Sequence, residues 1–95
     1  MKTILKTLTQ TPGPSGYENP IREVILKEIS SLSKNIRVDN LGNLVVTLGQ
    51  KSAKGMKVMI AAHMDEIGVM VSHVETNGLV RFTNLGTFLP RYLTG

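Results

Sequence analysis

The sequence predicts an α/β fold in which two amino-terminal helices pack on a mixed β-sheet. In the first third of the chain, apolar residues recur at helical spacing. From Ile36 onward the pattern changes to short β-branched runs separated by turn residues. One uninterrupted apolar run, Val58–Ala62, has the length and composition of a strand that is buried on both faces. Helices followed by several strands are the order expected when helices cover a sheet.

The composition is that of a soluble, single-domain protein. Hydrophobic residues make up 41% and charged residues 19% of the 95 positions, and a chain of this length builds one modest core. The net charge is +4, but the basic residues are scattered and lack aromatic neighbours, so we expect no nucleic-acid partner. No apolar run is long enough for a signal-peptide core or a membrane span. The absence of cysteine suits a reducing compartment, and we expect a cytoplasmic protein without a membrane partner.

The first predicted helix is short and amphipathic. Ile4, Leu5 and Leu8 recur at helical spacing within residues 2–9. Two prolines and two glycines in residues 11–16 then end the helix and predict a shaped turn.

A second helix is predicted after this turn, with an apolar stripe that begins at Ile21. Its first residue can be placed in two ways. Ser15 followed by Glu18 fits a capping box, whereas Asn19 followed by Pro20 fits an N-cap with proline at the first helical position. Of these two starts we favour the earlier one.

The second half of the chain is predicted to contain two hairpins. The first joins residues 36–39 to residues 44–48, and the second joins Val69–Val74 to Leu79–Phe82. Between the hairpins lie a polar loop, Gly49–Gly55, and the apolar run defined above. The apolar run is therefore expected to be the inner strand of the sheet.

The residues with the clearest chemical role follow the apolar run directly. His63 lies at the carboxyl end of the predicted inner strand, where α/β sheets commonly place ligand sites. Asp65 is close enough to accept a hydrogen bond from one ring nitrogen and leave the other nitrogen free as a metal ligand. The pattern also fits an ordinary polar residue at a strand end, so on these residues alone both interpretations stay open. The other histidine, His73, is expected to be an ordinary sheet-face residue.

Several sequence segments together resemble one enzyme family. They are Pro12–Glu18 with Ile21-Arg22, Asp39–Asn43, Ala62–Gly68, Asn77-Gly78, Arg81-Phe82 and Pro90-Arg91. These segments are similar to those of the glutamyl or deblocking aminopeptidases of the tetrahedral type, some of which have been named endoglucanases. The resemblance covers about residues 5–91.

The resemblance implies an incomplete zinc-exopeptidase-like fold and a role for two residues. His63 matches a ligand of one of two zinc ions, with cobalt as an alternative metal, and Asp65 matches the catalytic-site carboxylate that orients this ligand. The implied reaction is the removal of amino-terminal residues from peptides, in which two metal ions activate a water and polarise the scissile carbonyl. The implied partners are a peptide substrate and further copies of the chain in a homo-oligomer.

The resemblance also implies that the site is incomplete within these 95 residues. The family's bridging aspartate, proton-shuttling glutamate and second histidine have no counterpart here, and Glu66 matches a position that does not shuttle protons. We therefore expect residues 1–95 to form a single partial catalytic domain, with residues 84–95 irregular at the expected start of a missing dimerisation domain. One imidazole cannot hold zinc stably, so we expect no stably bound metal and no peptidase activity from the isolated chain.

Two alternatives to an aminopeptidase fragment stay open. The chain could be a non-catalytic interaction module that keeps the same scaffold and associates with itself, because exposed strand edges and apolar faces favour association. It could also be a small α/β domain with no inherited function, in which alanine at His63 or Asp65 has no consequence.

Overall fold

A computed structural model describes residues 1–49, 54–89 and 91 of the chain. In chain order the helices and strands are α1 (Lys2–Gln10), α2 (Asn19–Ile29), β1 (Ile36–Val38), β2 (Leu44–Val46), β3 (Gly68–Val74) and β4 (Val80–Leu85). Most of the predicted loop Gly49–Gly55 and most of the last six residues, including Pro90, lie outside the described residues.

The first helix agrees with the sequence prediction. Threonine hydroxyls on α1 donate to carbonyls one turn earlier, as in the bond from Thr7 Oγ1 to Thr3 O at 3.0 Å. The helix ends at Gln10, and the backbone of the next residue, Thr11, is extended ahead of Pro12. α1 packs against α2, so the two helices form one layer.

The predicted early start of α2 is wrong. The helix begins at Asn19, with Pro20 in its first turn, where the missing N–H costs no hydrogen bond. Ser15 does not cap the helix, because its hydroxyl donates to Asp65 far along the chain. The Glu18 carboxylate accepts a hydrogen bond from the Gly16 N–H and so stabilises the turn before the helix.

β1 and β2 form the first predicted hairpin, paired antiparallel with Arg37 opposite Val45. The Asp39 carboxylate accepts hydrogen bonds from the N–H groups of Leu41 and Asn43 and from the Asn43 side-chain amide. These bonds, with that amide as the largest cause, lower the pKa of Asp39.

Arg22 ties the second helix to this hairpin. Its Nε donates to the carbonyl of Gly42 at 3.0 Å. Gly42 has φ +85°, a conformation that favours glycine, and a Cβ there would lie 2.8 Å from the Arg22 guanidinium. The turn is therefore held against the amino-terminal end of α2.

β3 and β4 form the second predicted hairpin, with a bulge between Val71 and His73. The turn closes through the hydrogen bond from Glu75 N to Leu79 O at 2.8 Å. β4 runs through Asn84 and Leu85, so the strand extends two residues into the segment expected to be irregular.

The α/β class is confirmed, but the sheet differs from the prediction. Over the described part of the chain the strands form two separate two-stranded antiparallel sheets rather than one mixed sheet. The segment Val58–Ala62, predicted as a buried inner strand, is neither paired nor buried. A strand is buried only where neighbouring strands and layers cover it, and none of the described residues covers this one.

The described residues enclose very little apolar surface. Ile21 is their only buried hydrophobic residue, whereas Val58, Met59 and Ile60 are 74%, 89% and 93% exposed. The radius of gyration is 18.1 Å, compared with about 13 Å for a compact chain of this size. None of the described helices is long and apolar enough to cross a membrane. The predicted modest core is thus largely absent from the described part of the chain.

Candidate functional site

The loop between the helices lies against the segment that follows Ala62. Glu66 N donates to Gly13 O at 2.9 Å, and Gly13 N donates to the Glu66 carboxylate at 3.2 Å. Pro14 and Glu66 form an isolated parallel bridge. A Cβ at Gly68 would lie 3.1 Å from the Pro14 Cβ, so the two backbones approach closely. These contacts join parts of the sequence that are 53 residues apart. They define a docked contact between Gly13–Ser15 and Asp65–Gly68.

Ser15 contributes a side-chain hydrogen bond to this docked contact. Its hydroxyl donates to Asp65 Oδ2 at 2.5 Å in a partly buried position. This hydrogen bond is the largest cause of a lowered pKa at Asp65, and His63 contributes a smaller effect in the same direction. The Asp65 side chain is 41% exposed and carries its charge at neutral pH.

His63 projects from the same segment into solvent, with 86% of its side chain exposed. Its Nδ1 lies 2.9 Å from the Asp65 main-chain carbonyl and 3.4 Å from Asp65 Oδ1. Both neighbours are acceptors, so they favour a proton on Nδ1. The other ring nitrogen, Nε2, has no hydrogen-bond partner among residues 1–49, 54–89 and 91. In that tautomer Nε2 presents a lone pair to solvent, which is the form of imidazole that binds metals.

His63 and Asp65 lie at the edge of an open cleft of about 920 Å³. β2 and the exposed apolar run line its apolar walls, and Glu18, Asp39 and Asn43 contribute polar groups. The cleft therefore combines apolar surface with carboxylates near an imidazole.

The donor set suits part of a zinc site. An exposed imidazole whose other nitrogen faces a carbonyl and a carboxylate is a common zinc ligand arrangement. Structural and catalytic zinc sites use three or four protein ligands, and the described residues contain no group of three histidine, cysteine or acidic side chains placed to share a metal ion. The residues thus fit one ligand position but do not complete a site.

The other residues singled out from the sequence lie elsewhere or have structural contacts. His73 is exposed on β3, opposite Arg81 on β4, and has no hydrogen bond to another described side chain. Glu66 uses its carboxylate to accept the Gly13 N–H. Sequence reasoning missed the contact of Ser15 with Asp65, because Ser15 followed by Glu18 also fits a helix cap and only a fold brings Ser15 to Asp65.

Comparison with known proteins identifies the family. Residues 42–95 match the sequence model of the M42 glutamyl aminopeptidases. This chain belongs to that family. A provisionally named aminopeptidase of Acetivibrio thermocellus is 48% identical over 86 residues, which are 90% of this chain and 25% of that protein. The M42 chain spans about a quarter of the length of the curated relatives it matches.

Two solved structures share the fold of this M42 chain. One, from Thermotoga maritima, is described as an endoglucanase; it is 42% identical, with a TM-score of 0.80 over 92% of this chain and 28% of that one. The other is a TET aminopeptidase from a marine-sediment thaumarchaeote, 28% identical, with a TM-score of 0.81 over 95% of this chain and 24% of its own. The resemblance inferred from the sequence is therefore confirmed, including the endoglucanase label among the neighbours.

Proposed function

We propose that this chain is the amino-terminal part of a zinc-dependent aminopeptidase that removes amino-terminal residues from peptides. In this proposal residues 1–95 are a single partial catalytic domain, and residues 84–95 precede a dimerisation domain. The family is metal-dependent, which supports a metal site. His63 is the proposed metal ligand, and Asp65 is the carboxylate that positions it. A homo-oligomeric, cytoplasmic enzyme is the proposed biological form.

The observation that carries this proposal is the orientation of His63. Its Nδ1 faces Asp65, and its Nε2 is open to solvent beside the cleft. A metal-ligating imidazole needs one ring nitrogen free while the other nitrogen faces a carbonyl or carboxylate. The ring of His63 meets both conditions within the described residues.

The residues of this chain would bind and orient rather than carry out the whole reaction. A bound pair of zinc or cobalt ions supplies Lewis-acid polarisation of the scissile carbonyl and activation of water. His63 Nε2 holds one position of that site, while the main chain and carboxylate of Asp65 keep the Nδ1 proton in place. The run Val58–Ala62 lines the cleft with exposed residues.

The isolated chain is expected to bind zinc weakly and to lack peptidase activity, because it offers one ligand where three or four are needed. Equilibrium dialysis against zinc, followed by elemental analysis, measures this binding. We expect weak uptake that His63→Ala lowers more than His73→Ala does, because Asp65 lies beside the ring of His63. His73 is the matched control, since it is the other exposed histidine of the chain.

Two results would contradict this proposal. If zinc uptake is equal in the wild type and His63→Ala, the assignment of His63 as the metal ligand is wrong. Hydrolysis of an aminoacyl-nitroanilide by the purified chain, abolished by chelation and by His63→Ala, would overturn the proposed inactivity of the isolated chain.

A second candidate function is that of a non-catalytic module that associates with itself on the same scaffold. The exposure of Val58, Met59 and Ile60 favours it, because an extended apolar run with unpaired main-chain groups can add to another strand. Light scattering distinguishes this candidate: a monodisperse monomer across a wide concentration range would contradict it.

A further inference from the structure

We propose that Ser15 is a positioning residue for the metal-ligand histidine, acting through Asp65. This inference rests on the proposed function, since it assigns a new member to the same site. The hydroxyl of Ser15 donates to Asp65 Oδ2 at 2.5 Å, and Asp65 Oδ1 lies 3.4 Å from His63 Nδ1. The two carboxylate oxygens therefore face two different partners.

The geometry gives Ser15 a specific effect on the carboxylate. Asp65 is 41% exposed, so without a partner on Oδ2 its side chain is free to turn toward water. A hydroxyl donor on one oxygen fixes the plane of the carboxylate and keeps the other oxygen toward the imidazole. Ser15 thus holds the negative charge of Asp65 beside His63 Nδ1.

The loop that carries Ser15 is itself held in place. A main-chain hydrogen bond from Glu66 N to Gly13 O and a hydrogen bond from Gly13 N to the Glu66 carboxylate flank the Ser15 contact. The turn closes behind Ser15 with a bond from Tyr17 N to Pro14 O at 2.8 Å. The hydroxyl is therefore delivered to Asp65 by backbone geometry on both sides of the contact, which is how a supporting group fixes a ligand's orientation.

The expected consequence is a shift of the His63 tautomer. The carboxylate adds to the main-chain carbonyl of Asp65 in favouring a proton on Nδ1, which leaves Nε2 free to bind metal. The carbonyl remains when Ser15 is replaced, so the effect is partial. Because interactions between exposed charged groups are weak, we expect the ratio of the two tautomers to change about two- to fivefold.

Long-range proton–nitrogen NMR correlation of the untagged, histidine-labelled chain measures this ratio at a pH well above the ordinary range of imidazole titration. The chain has two histidines, and the exposed ring of His73 is the internal reference. We expect more Nδ1–H tautomer in His63 than in His73. Ser15→Ala should lower the His63 ratio about two- to fivefold, and Ser15→Thr, which keeps the hydroxyl, should restore it.

Two further variants separate this role from general support of the fold. Ser31→Ala is the control, because Ser31 is exposed and its hydroxyl makes no hydrogen bond with another described residue. Asp65→Asn keeps the shape of the side chain and removes its charge, and we expect it to change the His63 ratio as Ser15→Ala does.

Four outcomes would overturn the inference. These are a wild-type His63 with the tautomer ratio of His73, an unchanged ratio in Ser15→Ala, an unchanged ratio in Asp65→Asn, and a Ser15→Thr variant that behaves like Ser15→Ala. The measurement needs no metal, so its failure is distinguishable from failure of the proposed function. If zinc uptake depends on His63 but the His63 tautomer ratio does not depend on Ser15, this inference is overturned and the proposed function is not.

Discussion

Two neighbouring parts of one segment, residues 58–62 and residues 65–68, differ in what they contact. Residues 65–68 lie against the loop between the helices through one main-chain hydrogen bond, two hydrogen bonds that involve side chains, and the close approach of Gly68 to Pro14. Residues 58–62, a few positions earlier, are apolar and exposed and have no strand partner among the described residues. The docked part carries polar groups whose partners lie within residues 1–49. Burial of the apolar part would need a further strand and a further layer.

This difference shows how the site is held while the core is incomplete. Asp65 is fixed by contacts that a short polar loop supplies. Burial of Val58–Ala62 requires a much larger surface, and Ile21 is the only hydrophobic side chain that the described residues bury. The local geometry of the site and the global stability of the fold are therefore separable in this chain.

The largest effect is expected from a substitution in the exposed run Val58–Ala62. If the apolar run associates with a second copy, Ile60→Lys should weaken self-association by about tenfold or more, because burial of an isoleucine side chain contributes about 1.5–3 kcal/mol. Analytical ultracentrifugation over a concentration series measures the effect. Leu79→Lys is the control, since Leu79 is 64% exposed between β3 and β4 and is not among the residues that line the cleft with the run. Equal association of Ile60→Lys and the wild type would exclude this surface.

An intermediate effect is expected at the docked side. Gly13→Ala would place a Cβ 2.5 Å from Cγ2 of Ile21, the buried apolar residue of the described chain. Overpacking of this kind costs about 1–3 kcal/mol. We expect loss of the Gly13–Glu66 hydrogen bonds, measured as faster hydrogen exchange of the Glu66 amide.

Gly68→Ala is the matched comparison for Gly13→Ala. Its Cβ would meet the Pro14 Cβ at 3.1 Å, a milder approach that a small shift relieves. We expect a smaller rise in the exchange rate of the Glu66 amide. Equal rates in Gly13→Ala, Gly68→Ala and the wild type would show that the docked contact does not form in solution.

The smallest expected effect is a response to acid. The pKa of Asp65 is lowered, chiefly by the Ser15 hydroxyl, from an ordinary value of about 3.9. A depressed pKa means that the unfolded chain binds the proton more readily, so ionised Asp65 stabilises the docked contact above about pH 4 and this contribution is lost as pH falls through the lowered pKa. We expect no change between about pH 5 and 8 on this account.

Carbon NMR of the aspartate carboxyls measures this titration. Ser15→Ala should raise the pKa of Asp65 toward its ordinary value, because the largest cause of the shift is removed. Asp39 is the control within the same molecule, since the Asn43 side chain is the first cause of its lowered pKa. A variant that leaves both titrations unchanged would contradict the hydrogen bond from Ser15 to Asp65.

Local patterns in the sequence were sufficient for most elements. The spacing of Ile4, Leu5 and Leu8 predicted α1, and the β-branched runs around the turns predicted both hairpins. These elements depend on propensities and bonds between residues close in sequence. The start of α2 was wrong for the opposite reason: Ser15 has two chemically reasonable partners, and the distant one, Asp65, forms the bond.

The sequence predicted that His63 and Asp65 lie close together, but not the contact that holds Asp65 in place. His63 and Asp65 stand two positions apart, so their proximity follows from the sequence alone. The family relationship is likewise a property of the sequence, carried by residues 42–95. Neither the role of Ser15's hydroxyl nor that of the Glu66 carboxylate could be read in this way, because their partners lie 50 and 53 residues away.

Residue identity and short-range order thus specified the helices, the hairpins, the imidazole and its neighbouring carboxylate. The three-dimensional arrangement determined which polar groups meet across the docked contact and left Val58–Ala62 uncovered. The physical reason is that helical and hairpin periodicity depends on nearby residues, whereas burial depends on whatever surface surrounds a segment. An apolar run has the composition of an inner strand, but only neighbouring strands and layers make it one.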